Sequence, residues 1–237
     1  MRHIDRRALL CGIAIGVLAA ASRPLPARGF PTKQPPPGVL TRLPADGNQL
    51  ALTIDDGASV QVVGAFADFC RDSGTRLTFF VNGANSSWSV NAPALRPMVD
   101  SGQVQLGNHT WSHADITRIT PGAVADQIGR NAGFLRNTYG VDGTPYFRPP
   151  WSRHTPATDR IAADLGYTTI TMWTGDIGDS GRVSEAGLVA AASRSFQPQQ
   201  IVVGHANLPT ITHCFPQLLD IIRSRNLQTV TLNDVFG

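Results

Sequence analysis

Cysteine is scarce in this sequence, with three residues in 237. None of Cys11, Cys70 and Cys214 stands in the short paired spacing of a structural zinc site, which excludes a zinc-finger protein. An excess of one charge is also missing once the N-terminus is set aside. The whole chain carries 20 Lys and Arg against 17 Asp and Glu, a formal +3. Residues 1–28 contribute Arg2, Arg6, Arg7, Arg23, Arg28 and Asp5, so the remainder holds 15 basic and 16 acidic side chains and a net −1. The basic surface that nucleic-acid binding requires is therefore absent. No apolar run reaches the ~20 residues of a membrane-spanning helix. The longest, ALLCGIAIGVLAAA, stops short of it. There is no internal repeat.

What is present has an ordinary globular composition, 42% hydrophobic and 16% charged. The length suffices for one large domain with a substantial core. The basic leader MRHIDRR, the apolar stretch after it, and the small residues and prolines that follow read as an export signal over 1–28. Arg6-Arg7 ahead of Ala8-Leu9-Leu10 is similar to a twin-arginine signal. An exported, cell-envelope or secreted location is expected, with membrane contact only through an uncleaved signal. Cys11 leaves with the signal. Cys70 and Cys214 then form a disulfide in an oxidising compartment or remain two buried thiols, and the sequence does not choose between these. Residues 29–48, GFPTKQPPPGVLTRLPADGN, read as a Pro-rich linker or extended arm, which places the main domain at 49–237.

From there the chain alternates. Strand-like runs are LALTID, LTFFV, VQLGNH, YFRPP, TTITMW, IVVGH and QTVTL; helical patterns fill most intervals and close at Gly74, Gly102, Gly140, Gly166 and Asn226. Alternating strands and helices predict an α/β fold with parallel strands, an open sheet or a barrel. The reactive residues favour a barrel of about seven strands. Asp55 and Asp56, His109, Arg148, Asp176 and His205 end or follow different strands. A barrel gathers such residues at one rim, whereas an open sheet concentrates them at a switch point.

The run LALTIDDG ends an apolar strand on two adjacent carboxylates, which a buried strand would not choose for stability. GNHTWSHADI supplies His109 and His113, which share one face if the backbone between them is helical. Alone they could be surface histidines. With a strand-end carboxylate they form a three-ligand set that leaves positions open, as in catalytic zinc sites. One acid of the pair would bind the ion and the other stay free as a base. Arg148, before two prolines, is placed to orient a carboxylate. TGDIGDSG offers Asp176 and Asp179, the latter reading as a solvated turn acid. His205 follows a buried strand, while His154 and His213 have no evident partner.

LTIDDG, GNHTWSHADI, FRPPW, WTGDIGD and IVVGH resemble, in order, the five motifs of the polysaccharide deacetylases, the NodB-like group also called carbohydrate esterase family 4. The resemblance implies a distorted, incomplete (β/α) barrel that removes acetyl groups from N-acetylhexosamine polymers or, in some branches, from acetylated xylan. It implies one divalent metal ion, zinc foremost, on Asp56, His109 and His113. It makes Asp55 the general base, Arg148 its orienting partner, His205 the catalytic histidine and Asp176 the acid that tunes it. The backbone N–H of Trp151 would help to stabilise the oxyanion. Ala58, Trp151, Ser152-Arg153, Ser180 and Asn207 depart from the family pattern and bear on substrate more than on activity. The expected partner is a glycan such as peptidoglycan, chitin or xylan. A barrel that only binds glycan would require loss of a ligand or base, and all are present.

Overall fold

A computed structural model describes residues 35–236. The export signal expected at 1–28, with Cys11, lies outside the described residues.

The described residues contain nine strands: β1 Gly38–Leu40, β2 Gln49–Asp56, β3 Leu77–Val81, β4 Val104–Asn108, β5 Tyr146–Phe147, β6 Thr169–Thr171, β7 Gly175–Asp176, β8 Gln200–His205 and β9 Gln228–Val230. They form one curled sheet in the order β1-β6-β5-β4-β3-β2-β8-β7, with β9 beside β2. Every strand pairing in it is parallel. This is an incomplete (β/α) barrel. The seven expected strands are all present. The two additional ones, β1 and β7, are three and two residues long, too short to show a period in sequence.

Alternation along the strands separates two cores. Leu50, Leu52 and Ile54 of β2 face outward and pack with residues of helices Val60–Ser73 and Phe215–Ser224. Ala51 belongs to the lumen, with Phe80, Tyr146 and Ile201. The C-terminal helix Leu232–Phe236 and β9 close the lumen from below through Val230, Leu232 and Phe236. Arg76 clamps that helix with two bonds to Asp234, both 2.6 Å.

Of the two readings of the Pro-rich segment, its described residues take that of an extended arm. Within it, Leu40 accepts from the N–H of Met172 at 2.7 Å, and the N–H of Leu43 donates to Gln199 at 3.0 Å. Arg42 bridges Gln200 in antiparallel fashion. Residues 38–43 thus cross from β6 to β8, bury Leu40 and Leu43, and staple the seam where the sheet does not close on itself. They belong to the barrel.

Six longer helices match the helical patterns of the sequence. Ser59, Thr120 and Ser184 cap three of them through side-chain oxygens, and Thr155 with Thr158 forms a capping box on a fourth. Cys70 and Cys214 are both buried and free. Burial pushes the Cys70 thiol up to about 12, the state of an inert core residue. No helix among the described residues is long and apolar enough to cross a membrane.

Candidate active site

A regular strand would send Asp55 and Asp56 to opposite faces. The chain avoids this because Asp56 leaves β2 in the left-handed region, at φ 72, followed by Gly57 at φ 80. A non-glycine residue held there costs about 1–2 kcal/mol, so the turn needs external support. The Asn85 amide and the Trp88 indole N–H both donate to the Asp56 carbonyl at 3.0 Å. The Ser87 hydroxyl donates to the Gly57 carbonyl. Trp88 also occupies the space a side chain at Gly57 would need, since a Cβ there would stand 2.5 Å from its ring. Gly57→Ala is therefore expected to lower stability by about 1–3 kcal/mol through overpacking and to displace Asp56. Urea unfolding alongside an activity assay measures both, and a variant with unchanged midpoint would refute the steric argument.

His109 follows β4 directly. The segment to His113 is not helical, so helical spacing is not what brings the two rings to one face. Thr110 at φ 69 and His113 at φ 57 reverse the chain instead and return the second ring to the first. The ring nitrogens Nε2 of His109 and His113 lie 3.2 and 3.4 Å from Asp56 Oδ1. The three ligand atoms fall within 4.8 Å of one another. His109 Nδ1 stands 2.6 Å from the Arg148 carbonyl, which can only accept, so Nδ1 carries the proton and Nε2 is turned to the cluster.

Asp56 Oδ1 is buried and has no hydrogen-bond partner among the described residues. An orphaned carboxylate oxygen facing two imidazole nitrogens suits a divalent cation. Burial works against ionisation of Asp56. The adjacent His109 and His113 rings and the Asn207 amide outweigh it and hold the carboxyl well below the usual range. Burial, with the neighbouring His109, lowers the pKa of His113 and favours its neutral, ligating form.

Asp55 points into the lumen, 3% exposed, and meets a fully buried Arg148 at 2.7 Å. The same guanidinium donates to Thr53 Oγ1 at 2.7 Å and to the Thr171 carbonyl at 3.0 Å, and lies 4.1 Å above the Phe80 ring. Phe80 can lie there because its neighbour on β4 is Gly107, where a Cβ would approach the ring to 2.6 Å. One Asp55 oxygen is thus tied to Arg148, and the other stands 3.9 Å from His109 Nε2.

On the neighbouring strand, His205 ends β8 in register with Asp55. Its expected partner requires correction. The carboxylate against its ring is Asp179, with Oδ1 2.8 Å from Nδ1 and Oδ2 accepting from the His205 N–H at 2.9 Å. Asp176 is exposed and accepts from the Gly178 N–H at 2.6 Å. The turn after β7 carries the chain inward, so Asp179 is buried to 4% exposure and is not the solvated acid its glycine-rich surroundings suggested. Burial alone would lower the pKa of His205. The Asp179 hydrogen bond and the charges of Asp55, Asp179 and Asp56 reverse this and raise it to about 9.

Asp55, Asp56, His109, His113 and His205 line an open cleft of about 530 Å³ at the C-terminal rim of the barrel. Trp151 stands on its wall, 62% exposed, with its ring 4.8 Å from that of His113. Trp173, Asp176, Ser180 and Asn207 also line it, whereas Arg148 and Asp179 lie behind the wall. A larger cavity of about 1230 Å³, beside Arg76 and Asp234, contains no histidine. His154 and His213 pair with Asp159 and Glu185, each at 2.9 Å, and neither lines the cleft. Sequence reading had set Asp179 aside and had noted Asn207 only as a departure. Neither lies at a position whose partner can be counted along the chain.

Comparison with known proteins agrees with this geometry. The family profile described as polysaccharide deacetylase matches residues 42–170. A chitin deacetylase from Pestalotiopsis sp is 24% identical over 235 residues, covering 97% of this chain and 77% of its own. The peptidoglycan-N-acetylglucosamine deacetylase PgdA of Listeria monocytogenes is 28% identical over 199 residues, 80% of this chain but only 39% of its own. Among solved structures, a CE4 family pseudoenzyme from Bacillus anthracis superposes with a TM-score of 0.74 at 19% identity, over 85% of this chain and 70% of that one. That likeness shows the fold alone. With a profile covering more than half of its residues, the chain belongs to the polysaccharide deacetylase family.

Proposed function

We propose that the protein is a metal-dependent hydrolase that removes N-acetyl groups from an N-acetylglucosamine-containing polysaccharide, with peptidoglycan and chitin as the leading substrates. The observation that carries this reading is the gathering of two proton-transfer groups and one ligand cluster in a single cleft. Asp55, tied to Arg148, and His205, tied to Asp179, line it together with the orphaned Asp56 oxygen and the two histidines. The similarity of this chain to a chitin deacetylase and to a peptidoglycan-N-acetylglucosamine deacetylase supports the substrate class. Because a pseudoenzyme shares the fold, activity is inferred from these residues and not from the barrel.

Asp56, His109 and His113 would hold one divalent ion, zinc by the nature of the donors. Bound there, the ion supplies Lewis-acid polarisation of the acetyl carbonyl and lowers the pKa of an attacking water. The chain's own groups do the rest. Arg148 fixes one oxygen of Asp55 and leaves the other to accept the water's proton. The backbone N–H of Trp151 is assigned to the developing oxyanion, and its exposed indole to the sugar face. His205, kept protonated by Asp179, gives its proton to the departing nitrogen.

That last feature favours an amide over an ester. An amine leaves only when protonated, and a histidine whose pKa is raised to about 9 stays protonated at neutral pH. An O-acetyl group needs no such acid. Export of the chain rests on the sequence pattern of 1–28 alone.

The test is acetate release from chitin oligomers, peptidoglycan and acetylxylan, before and after chelation and zinc return. Zinc-dependent release from an N-acetylated polymer, with weak release from xylan, is the expected result. Release from xylan alone would make the protein an O-deacetylase, and no release from any glycan would leave a binding barrel. His113→Ala is expected to lose both the ion and activity. Stoichiometric zinc in that variant, measured by elemental analysis, would contradict the ligand assignment.

A further inference from the structure

Asn207 takes no part in the chemistry above, yet its side chain makes two bonds to the most strained turn of the rim. The Ala58 N–H donates to its Oδ1 at 3.0 Å. This bond fixes which end of the amide is oxygen, because a backbone N–H can only donate. Nδ2 must then face Asp56, and it donates to Oδ2 at 2.7 Å. One carboxylate oxygen of Asp56 is therefore occupied, while Oδ1 is left facing His109 and His113 without a partner of its own.

We infer that Asn207 is a positioning residue that makes Asp56 a one-oxygen metal ligand and so keeps coordination sites free for water and substrate. The inference rests on the metal reading given above. Its support is geometric. Asp56, the last residue of β2, turns the chain at φ 72, and its carboxylate needs a restraint from outside the strand. Asn207 supplies one from the loop after β8, gripping both sides of Gly57 through the Asp56 side chain and the Ala58 backbone. The Ala206 carbonyl accepts from the Ser59 N–H at 3.2 Å and holds the same two segments together. Released from the amide, Oδ2 could turn to the ion beside Oδ1, and a two-oxygen ligand would fill a position that catalysis needs open. A neutral amide does this without adding charge, whereas a carboxylate at 207 would repel Asp56 and could not donate.

The experiment compares the full chain with Asn207→Leu and Asn207→Asp, using cobalt(II) as the probe. Leucine removes both bonds, and aspartate keeps the acceptor for the Ala58 N–H while removing the donor to Asp56. Cobalt affinity is read by chelator competition, coordination by the visible absorption spectrum, and fold integrity by thermal unfolding of the metal-free proteins. Both variants are expected to show a visible band weakened by the higher coordination number, and Asn207→Leu, which adds no charge, to bind cobalt about 10–100-fold more weakly. Asn207→Asp sets a second carboxylate against Asp56, so its metal-free unfolding temperature is expected to fall, and the spectrum is the readout that decides. Wild-type affinity and spectrum in both variants would overturn the inference. So would a lowered unfolding temperature with an unchanged spectrum, since that describes a purely structural side chain. Failure of the wild-type chain to take up cobalt would instead sink the metal reading itself, and this inference with it.

Discussion

Asp55→Asn is expected to reduce acetate release by about 10²–10⁴-fold, the usual worth of a general base, while the protein still binds one equivalent of metal. The substitution preserves size and leaves an oxygen for Arg148, so what disappears is the capacity to take a proton. It also leaves the buried guanidinium of Arg148 without its counter-charge, now 2.7 Å away. Breaking such a pair costs about 3–5 kcal/mol. Activity must therefore be measured on protein shown by its unfolding curve to be native at the assay temperature. Asp56→Asn should behave in the opposite way, losing the ion because the unpartnered oxygen loses its charge. If Asp55→Asn lost the metal and Asp56→Asn retained it, the two roles would be interchanged.

The second large effect concerns His205. His205→Ala should abolish most amide hydrolysis but spare much of the hydrolysis of an activated ester, whose leaving group departs without a proton. The pH dependence follows from the raised pKa. The acid is protonated below about 9 and loses its proton as pH rises through that value, so activity should fall on the alkaline side. Asp179→Asn removes the hydrogen bond that holds the proton, and the alkaline limb should move to lower pH. Stability follows the same sign. The His205–Asp179 contribution is complete below the ordinary histidine value of 6.5 and vanishes as pH rises through about 9. Asp179→Asn should therefore destabilise the protein at pH 6 and much less at pH 10. Asp176→Asn, at the exposed neighbour, should leave the limb in place. A limb that moved with Asp176 and not with Asp179 would reverse the assignment. Equal losses on amide and ester would remove His205 from proton transfer.

Much of the architecture was legible because long elements carry a period. β2, β3, β4 and β8 read as strands from five to eight residues, and the helices announced their ends at Gly74, Gly140 and Asn226. Strand ends also told which side chains reach the rim. What stayed hidden depends on backbone reversal. Adjacent acids on a strand should diverge, and only φ 72 at Asp56 brings them together. The spacing of His109 and His113 puts both rings on one face only if the backbone is helical, while the chain uses two left-handed residues to reach the same end. Asp176 and Asp179 stand three positions apart in one glycine-rich loop, and nothing in composition says which one turns inward. Short strands such as β1 and β7 gain their partners only from tertiary contact.

The lumen is sealed from both ends of the described chain at once. Leu40 and Leu43 enter from the N-terminal arm, and Val230, Leu232 and Phe236 from the last residues. β2, the longest strand and the one that carries both acids, pairs along Gln49–Ala51 with β9 and along Leu50–Asp55 with β8. Its partners are thus made some 150 to 180 residues after it. Contacts of such separation are closed late, because the chain entropy of the intervening loop must be lost before they are rewarded. On a ribosome, β2 emerges early and waits with the edge beside Asp55 unpaired until β8 appears. A protein shortened before residue 200 forfeits the strand that anchors its first acid, and one shortened before residue 228 loses the pairing along Gln49–Ala51.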